Sequence, residues 1–398
     1  MNIVEPLILN GADWTASFNA LSGQKMIFSC AGRELLSLSG MVFGKIEEAS
    51  GYCVKCRQHE SIDLLNKSAE IVNVIPFGSE PQIVRQFEFA GNRAKITTDF
   101  HLKAPMEAES FEVDNILVKG SWAKIGVLKI GKPLPETSDI EWHAVGKDSL
   151  WKLVIEDIPL IILFEGNDGT RLEIGTGDDI WRWLQTETFP ETTASIVFEK
   201  TNGGVSIRRI FAKWTETGTI APRKYRFTWY FAWETPDRKY FTCGEDEFSV
   251  FSFSGKNKIL SDGNKCFKFP DGELPELFAA RFADDLTGAP CFHSSPVSGL
   301  FRDWVRSAAA IKDGRPLVLG NLKASLCDSA PHLERPQKQK LLHWNMIRIF
   351  DFCLWANKQL RYSDSSFYIL PEGNGKVYSS LPSVKGMSLL THPGNLKN

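Results

Sequence analysis

No single sign of charge dominates this chain. Its 398 residues carry 46 Lys and Arg against 48 Asp and Glu, a formal net charge of -2. Proteins that grip nucleic acid neutralise many phosphates and leave a basic run or stripe; none stands out here, so nucleic acid is not an expected partner. Long hydrophobic runs are also missing. A membrane-crossing helix needs about 20 apolar residues, and the longest apolar stretch, Ile158 to Phe164, is short and interrupted by Pro159. The opening Met1-Asn-Ile-Val-Glu-Pro has no basic segment followed by an apolar core. The expectation is therefore a protein without a membrane span or secretion signal, located in the cytoplasm.

The eight cysteines are scattered: Cys30, Cys53, Cys56, Cys243, Cys266, Cys291, Cys327 and Cys353. A chain of this length builds its own core, so reduced thiols are expected rather than a disulfide framework. Cys53-Val-Lys-Cys56 is a CxxC followed by His59, but a zinc or redox site needs a second ligand pair or a thioredoxin-like context. Neither is visible, and no metal or cofactor is expected. No HExxH motif, Ser-His-Asp order or phosphate-cradling glycine loop is present. No fixed-period repeat appears, which argues against a propeller.

What the chain does have is aromatic residues, at 12%. They concentrate in Lys224-Tyr-Arg-Phe-Thr-Trp-Tyr-Phe-Ala-Trp-Glu-Thr-Pro236. Tyr225, Phe227, Trp229, Phe231 and Trp233 take the odd positions; Lys224, Arg226, Thr228, Tyr230, Ala232 and Glu234 take the even ones. A period of two places these sets on opposite faces of a strand. The ring face is expected to be core. The mixed face is left for solvent or a ligand, as in a large antiparallel sheet.

Strand follows strand from residue 1 to about 270. Gln82 to Phe89 puts Ile83, Arg85, Phe87 and Phe89 on one side, and Gly91-Asn92 then turns the chain into Ala94 to Leu102, a hairpin. Further strands are expected at Phe111 to Lys119, Ala123 to Ile130, Leu150 to Glu156, Leu160 to Glu165, Thr170 to Ile174, Ser195 to Glu199, Val205 to Trp214 and Phe248 to Phe253. Asn167-Asp168-Gly169 and Asn202-Gly203-Gly204 supply two more hairpin turns. Such spacing means a sandwich or barrel rather than βαβ units. Past Pro270, helices are expected near Leu274, at Ser298 to Ile311 and at Pro336 to Arg361, followed by irregular chain from Tyr362 to Asn398. The predicted fold is mainly β: a large two-sheet antiparallel sandwich (1-270) with a helical and irregular C-terminal extension packed on it (271-398).

Two segments carry a resemblance. Val84-Arg-Gln-Phe-Glu-Phe-Ala-Gly-Asn-Arg-Ala-Lys-Ile-Thr-Thr-Asp-Phe-His-Leu102 and Phe227-Thr-Trp-Tyr-Phe-Ala-Trp-Glu-Thr-Pro236 resemble strands of the galactose-mutarotase-like β-supersandwich of carbohydrate-active proteins. The second is similar to the strand closing the N-terminal sandwich of bile-acid β-glucosidase-type glycoside hydrolases. The resemblance covers residues 1 to about 260 and implies a sugar site on the concave sheet face. It does not bring a hydrolase barrel, for which this chain has no room. Function does not follow from fold.

Several residues have the chemistry for such a site. Asp99 and His101 share one strand face, and Glu234 lies on the mixed face of another strand; together they are candidates for acid and base roles in sugar ring opening. The competing reading is a set of solvated sheet residues. Gly175-Thr-Gly-Asp-Asp-Ile-Trp-Arg-Trp183 offers Trp181 and Trp183 as flat platforms beside Asp178, Asp179 and Arg182; its alternative is a plug at the sandwich end. Glu141-Trp142-His143 adds a ring and, in His143, a candidate acid or base; the alternative is an ordinary loop histidine. Arg226 and Tyr230 complete the candidate binding set.

The expected function is carbohydrate binding or processing, with a carbohydrate ligand as partner. An enzyme of this kind would be an isomerase, epimerase or lyase rather than a barrel hydrolase. The alternative is a non-catalytic scaffold whose C-terminal helix docks a partner or a second copy; Trp344 and Trp355, eleven apart, suit such an interface or a homo-oligomer.

Overall fold

The structure is a computed structural model. It describes residues 7–11, 14–18, 26–38, 61–63, 68–74, 81–90, 92–129, 136–177, 180, 189, 192, 194–236, 250–252, 258–260, 317–323, 367–372 and 381–385, with single helical positions within 299–310 and 348–359. Its strands in chain order begin β1 (Leu7–Asn10), β2 (Trp14–Phe18), β3 (Met26–Cys30), β4 (Arg33–Leu38), β5 (Ser61–Asp63), β6 (Ser68–Val74), β7 (Gln82–Ala90) and β8 (Arg93–His101). Then come β9 (Met106–Glu112), β10 (Ile116–Lys119), β11 (Trp122–Leu128), β12 (Glu141–Ala144), β13 (Lys152–Glu156), β14 (Ile161–Gly166) and β15 (Arg171–Thr176). The last are β16 (Ser195–Thr201), β17 (Gly204–Ile220), β18 (Lys224–Glu234), β19 (Val250–Ser252), β20 (Lys258–Leu260), β21 (Leu317–Lys323) and β22 (Phe367–Glu372).

Most of these strands form two nine-stranded sheets. The first runs β1-β2-β3-β4-β10-β17-β16-β13, with β9 also on β17; the second runs β12-β11-β14-β15-β18-β8-β7-β6-β5. The mainly β, two-sheet antiparallel class expected from sequence is therefore the one found. The chain divides into two compact units: residues 1–89, 94–127 and 142–231, and residues 90–93, 128–141 and 232–398.

In the first unit, rings from the two sheets meet face to face. Phe18 of β2 lies 4.7 Å from Phe87 of β7, Phe28 of β3 lies 5.1 Å from Phe231 of β18, and Phe211 of β17 lies 4.7 Å from Phe227 of β18. Phe164 on β14 reaches Phe198 on β16 at 6.3 Å. Every odd ring of β18 is buried, from Tyr225 to Trp233, as its period of two required. A fully buried Phe stabilises by about 3 kcal/mol, so this row is a main source of cohesion between the sheets. The Tyr225 hydroxyl, at the row's end, donates to the Ala221 carbonyl at 2.7 Å.

Two turns explain where strands stop. Val205 to Trp214 lengthens to β17, which begins at Gly204 opposite Lys119. Gly204 has φ +154, and a Cβ there would stand 1.9 Å from the Val118 carbonyl oxygen, so only glycine fits. The second turn splits what was expected as one strand, Phe111 to Lys119. Asp114 adopts φ 51 and breaks it into β9 and β10. Asp tolerates this left-handed region better than most residues, and an Asp-Asn pair favours turns.

The second unit holds a smaller sheet, β20-β19-β21-β22, in which β21 runs parallel to both β19 and β22. The expected irregular stretch 362–398 thus contains a strand, Phe367–Glu372. Described helical positions include Arg302, Val305 and Arg306 and, further on, Phe352, Trp355 and Ala356, within two of the expected helices. A short helix spans Pro382–Lys385. Asn92, expected as a turn residue, is buried. Its side-chain amide donates to the carbonyls of Trp233 at 2.9 Å and Pro382 at 2.8 Å. No described helix is long and apolar enough to cross a membrane.

Candidate functional site

The outward face of the second sheet is built by three neighbouring strands, β15, β18 and β8. Hydrogen bonds from Leu102 N to Arg223 O and from Trp233 N to Asn92 O, 3.0 and 3.1 Å, fix β8 antiparallel to β18. With Ile96, Thr98 and Phe100 turned inward, Thr97, Asp99 and His101 point out. By the same alternation β18 presents Lys224, Arg226, Thr228 and Tyr230, and β15 presents Glu173.

A sheet with its other face in the core would ordinarily leave such groups in water. Here they are withdrawn: Thr97 is 7% exposed, Asp99 8%, Thr228 7%, Tyr230 3% and Glu173 3%. The mixed face expected to meet solvent or a ligand is thus covered over its centre and open at its edge, where His101, Lys224 and Arg226 are exposed.

Asp99 anchors that edge. Its two oxygens accept from Arg226 Nε at 2.7 Å and Nη2 at 2.8 Å, a bidentate fork, and Lys224 Nζ stands 2.9 Å away. Burial pushes the Asp99 pKa up, but the hydrogen bonds and charges of Arg226 and Lys224 outweigh it and hold the carboxyl below its ordinary value. A carboxylate kept ionised accepts hydrogen bonds well and takes up a proton poorly at neutral pH.

The other expected residues are dispersed. His101 is two positions from Asp99 on the same face, about 7 Å along the strand. Glu234 closes β18, half-buried. Trp142 and His143 are half-buried on β12, five ladder steps from β8, or roughly 24 Å at about 4.8 Å per step. Lys124 Nζ lies 4.0 Å over the Trp142 ring and 2.7 Å from Glu165. Asp178, Asp179, Trp181, Arg182 and Trp183 lie outside the described residues, as do Cys53, Cys56, His59 and Trp344. The approach to that tryptophan loop is described: Gly177 N donates to Thr228 O at 2.7 Å, which ties its start to β18. Of the candidate set, the structure joins Asp99 to Arg226 and separates both from Trp142 and His143. Among the described residues, no group of three His, Cys, Asp or Glu could hold a metal ion.

Sequence reasoning passed over a second polar cluster, inside the sandwich. Arg85 Nε donates to Asp114 Oδ1 at 3.1 Å, and Thr98 Oγ1 donates to Asp114 Oδ2 at 2.6 Å. Arg209 donates through Nε to Val113 O at 3.2 Å and through Nη2 to Asp114 O. Arg85, Thr98, Asp114 and Arg209 are all 0% exposed.

The class that fold and faces define is a two-sheet antiparallel β-sandwich with a polar, covered outer face. No family model matches the chain, and no curated protein matches it. Among solved structures it is similar to a galactose mutarotase related enzyme from Lactobacillus acidophilus, at 8% identity over 59% of this chain and 100% of that one, with TM-score 0.40. It is similar to the Slr1438 protein from Synechocystis sp. PCC 6803, at 10% identity over 59% of this chain and 99% of that one, with TM-score 0.38. A third is an alpha-N-acetylgalactosaminidase from Bifidobacterium bifidum in a GalNAc complex, at 8% identity over 91% of this chain and 58% of that one, with TM-score 0.38. The sandwich itself rests on the strand pairing.

Proposed function

We propose that the outward face of the second sheet recognises a carbohydrate, with Asp99, Arg226 and Tyr230 bonding hydroxyls and the Trp181 and Trp183 loop as the stacking platform. The observation that supports this reading most is the Asp99 carboxylate, held by Arg226 and Lys224 at the open edge of that face. Hydroxyls of Thr97, Thr228 and Tyr230 both donate and accept, and an ionised Asp99 accepts; sugar hydroxyls need that mixture. A few fixed polar groups beside flat rings suit small-ligand recognition. The low basicity of Asp99 favours binding over proton abstraction at this position.

A glycan array tests the reading, followed by titration of the best glycan against Asp99→Asn, Trp181→Ala and Trp183→Ala. Losing a hydrogen bond to a charged group costs about 1.5–3 kcal/mol, so affinity should fall roughly tenfold or more in Asp99→Asn. An empty array, or unchanged affinity in all three variants, contradicts the proposal.

The withdrawal from solvent of the centre of that face favours a second reading, in which it is a packing surface of a non-catalytic scaffold. An empty array together with a stable dimer by sedimentation would select it.

A further inference from the structure

Arg85 and Arg209 sit where hydrophobic residues belong. Arg85 shares its strand face with Ile83, Phe87 and Phe89, and Arg209 shares its own with Val205, Ile207 and Phe211, all of them buried. One arginine comes from each sheet, and both reach the turn at Asp114 between them. The Arg209 guanidinium also lies 3.4 Å over the ring of Trp229, a desolvated cation–π contact.

The charges of this cluster do not cancel. Two buried guanidinium cations face one buried carboxylate. The neighbouring buried acid, Glu112, is already engaged: Arg208 bonds both its oxygens, and Asn115 Nδ2 donates to it at 2.8 Å. Asp99 is taken by Arg226 and Lys224 on the outer face. An uncompensated charge in a dry core costs several kcal/mol, and buried charges are ordinarily paired.

The hydrogen bonds do not balance either. Arg85 Nη1 and Nη2, Arg209 Nη1 and Trp229 Nε1 are buried donors with no acceptor among the described residues. These are strong donors that native cores seldom leave unmet. All belong to side chains that touch Asp114 or lie against Arg209. Burial pushes Arg209 down to about 9, and the Asp114 charge only partly restores it. A guanidinium keeps its proton under such conditions, so a further acceptor of negative charge would satisfy both the charge and the donors.

We propose that the interior of the first unit encloses a small inorganic anion, chloride in chloride-containing solution, held by Arg85, Arg209 and the Trp229 indole N–H. One such ion brings the cluster from one excess positive charge to neutrality and supplies an acceptor to several donors at once. It is bound as a structural counter-ion between the sheets and is independent of any ligand on the outer face.

Bound to the folded state alone, the ion links stability to its own concentration. Thermal unfolding of the full chain, dialysed into sodium gluconate and titrated with chloride at constant ionic strength, should show a midpoint rising by roughly 2–5 °C per tenfold chloride once the site fills. Arg85→Met should abolish that dependence. Crystals of the unaltered protein grown in bromide should show an anomalous peak within hydrogen-bond distance of Arg85, Arg209 and Trp229, a readout that does not depend on any variant folding. Equal midpoints in gluconate and chloride, or only water density on those donors in the bromide crystals, overturns the proposal.

Discussion

Two clusters in the first unit are made of the same parts and do different work. Asp114 sits between Arg85 and Arg209; Asp99 sits between Arg226 and Lys224. Each centres on one aspartate with two cations, Arg85 and Arg209 coming from opposite sheets and Arg226 and Lys224 from one neighbouring strand. At Asp114 both partner side chains are wholly buried, whereas the Lys224 and Arg226 side chains are 57% and 51% exposed. The lesson concerns solvent. Water and mobile ions screen the outer pair and leave it free to exchange partners. The inner pair has no such substitute, so its geometry is fixed by the fold and its charge must be balanced locally. The Asp114 cluster ties the two sheets together from inside, and the Asp99 cluster lies at the open edge of the outer face.

That contrast is broken or sharpened by removing each carboxylate in turn. Asp114→Asn preserves the side-chain shape and tolerates the left-handed backbone, but leaves two buried cations without their carboxylate. Urea unfolding should show a loss of about 3–5 kcal/mol; a loss below about 1 kcal/mol would mean that the cluster is not closed. Next comes Thr98→Val, which removes one buried hydrogen bond to the charged Asp114 and should cost about 1.5–3 kcal/mol in the same assay. Asp99→Asn is the smallest, at about 0.2–1 kcal/mol after screening, and raising salt should shrink it further.

The pH dependence of that last difference has a definite sign. The Asp99 pKa is lowered by folding. Its stabilisation is therefore present above the unfolded carboxyl value of about 3.9 and is lost as pH falls through the folded value. The stability gap between the unaltered protein and Asp99→Asn should close at strongly acid pH and stay constant from about pH 5 to 8. A gap that widens toward acid would reverse the assignment.

Much of the sandwich was legible because period-two patterning is a local property. Tyr225 to Trp233 announced a core face, and Asn202-Gly203-Gly204 announced the turn before β17. The break at Asp114 was less visible, since Phe111 to Lys119 alternates well enough to pass for one strand; the Asp-Asn pair inside it was the available sign. Arg85 and Arg209 carried a sign too, each lying on the apolar parity of its strand. What no local pattern reports is that the two arginines meet over one aspartate, because that depends on which strands face each other across the sandwich. The Asp99 to Arg226 fork has the same origin: both were candidates, but the pairing of β8 with β18 made them neighbours. Trp142 and His143 looked equally suitable in sequence and lie on a distant strand of the same sheet.

The most direct test of the contrast is a pair of double-mutant cycles under one set of conditions, Arg85→Met with Asp114→Asn and Arg226→Met with Asp99→Asn. The account predicts a coupling of about 3 kcal/mol or more for the buried pair and below about 1 kcal/mol for the outer pair. Equal couplings, or a larger one at Asp99, would contradict it.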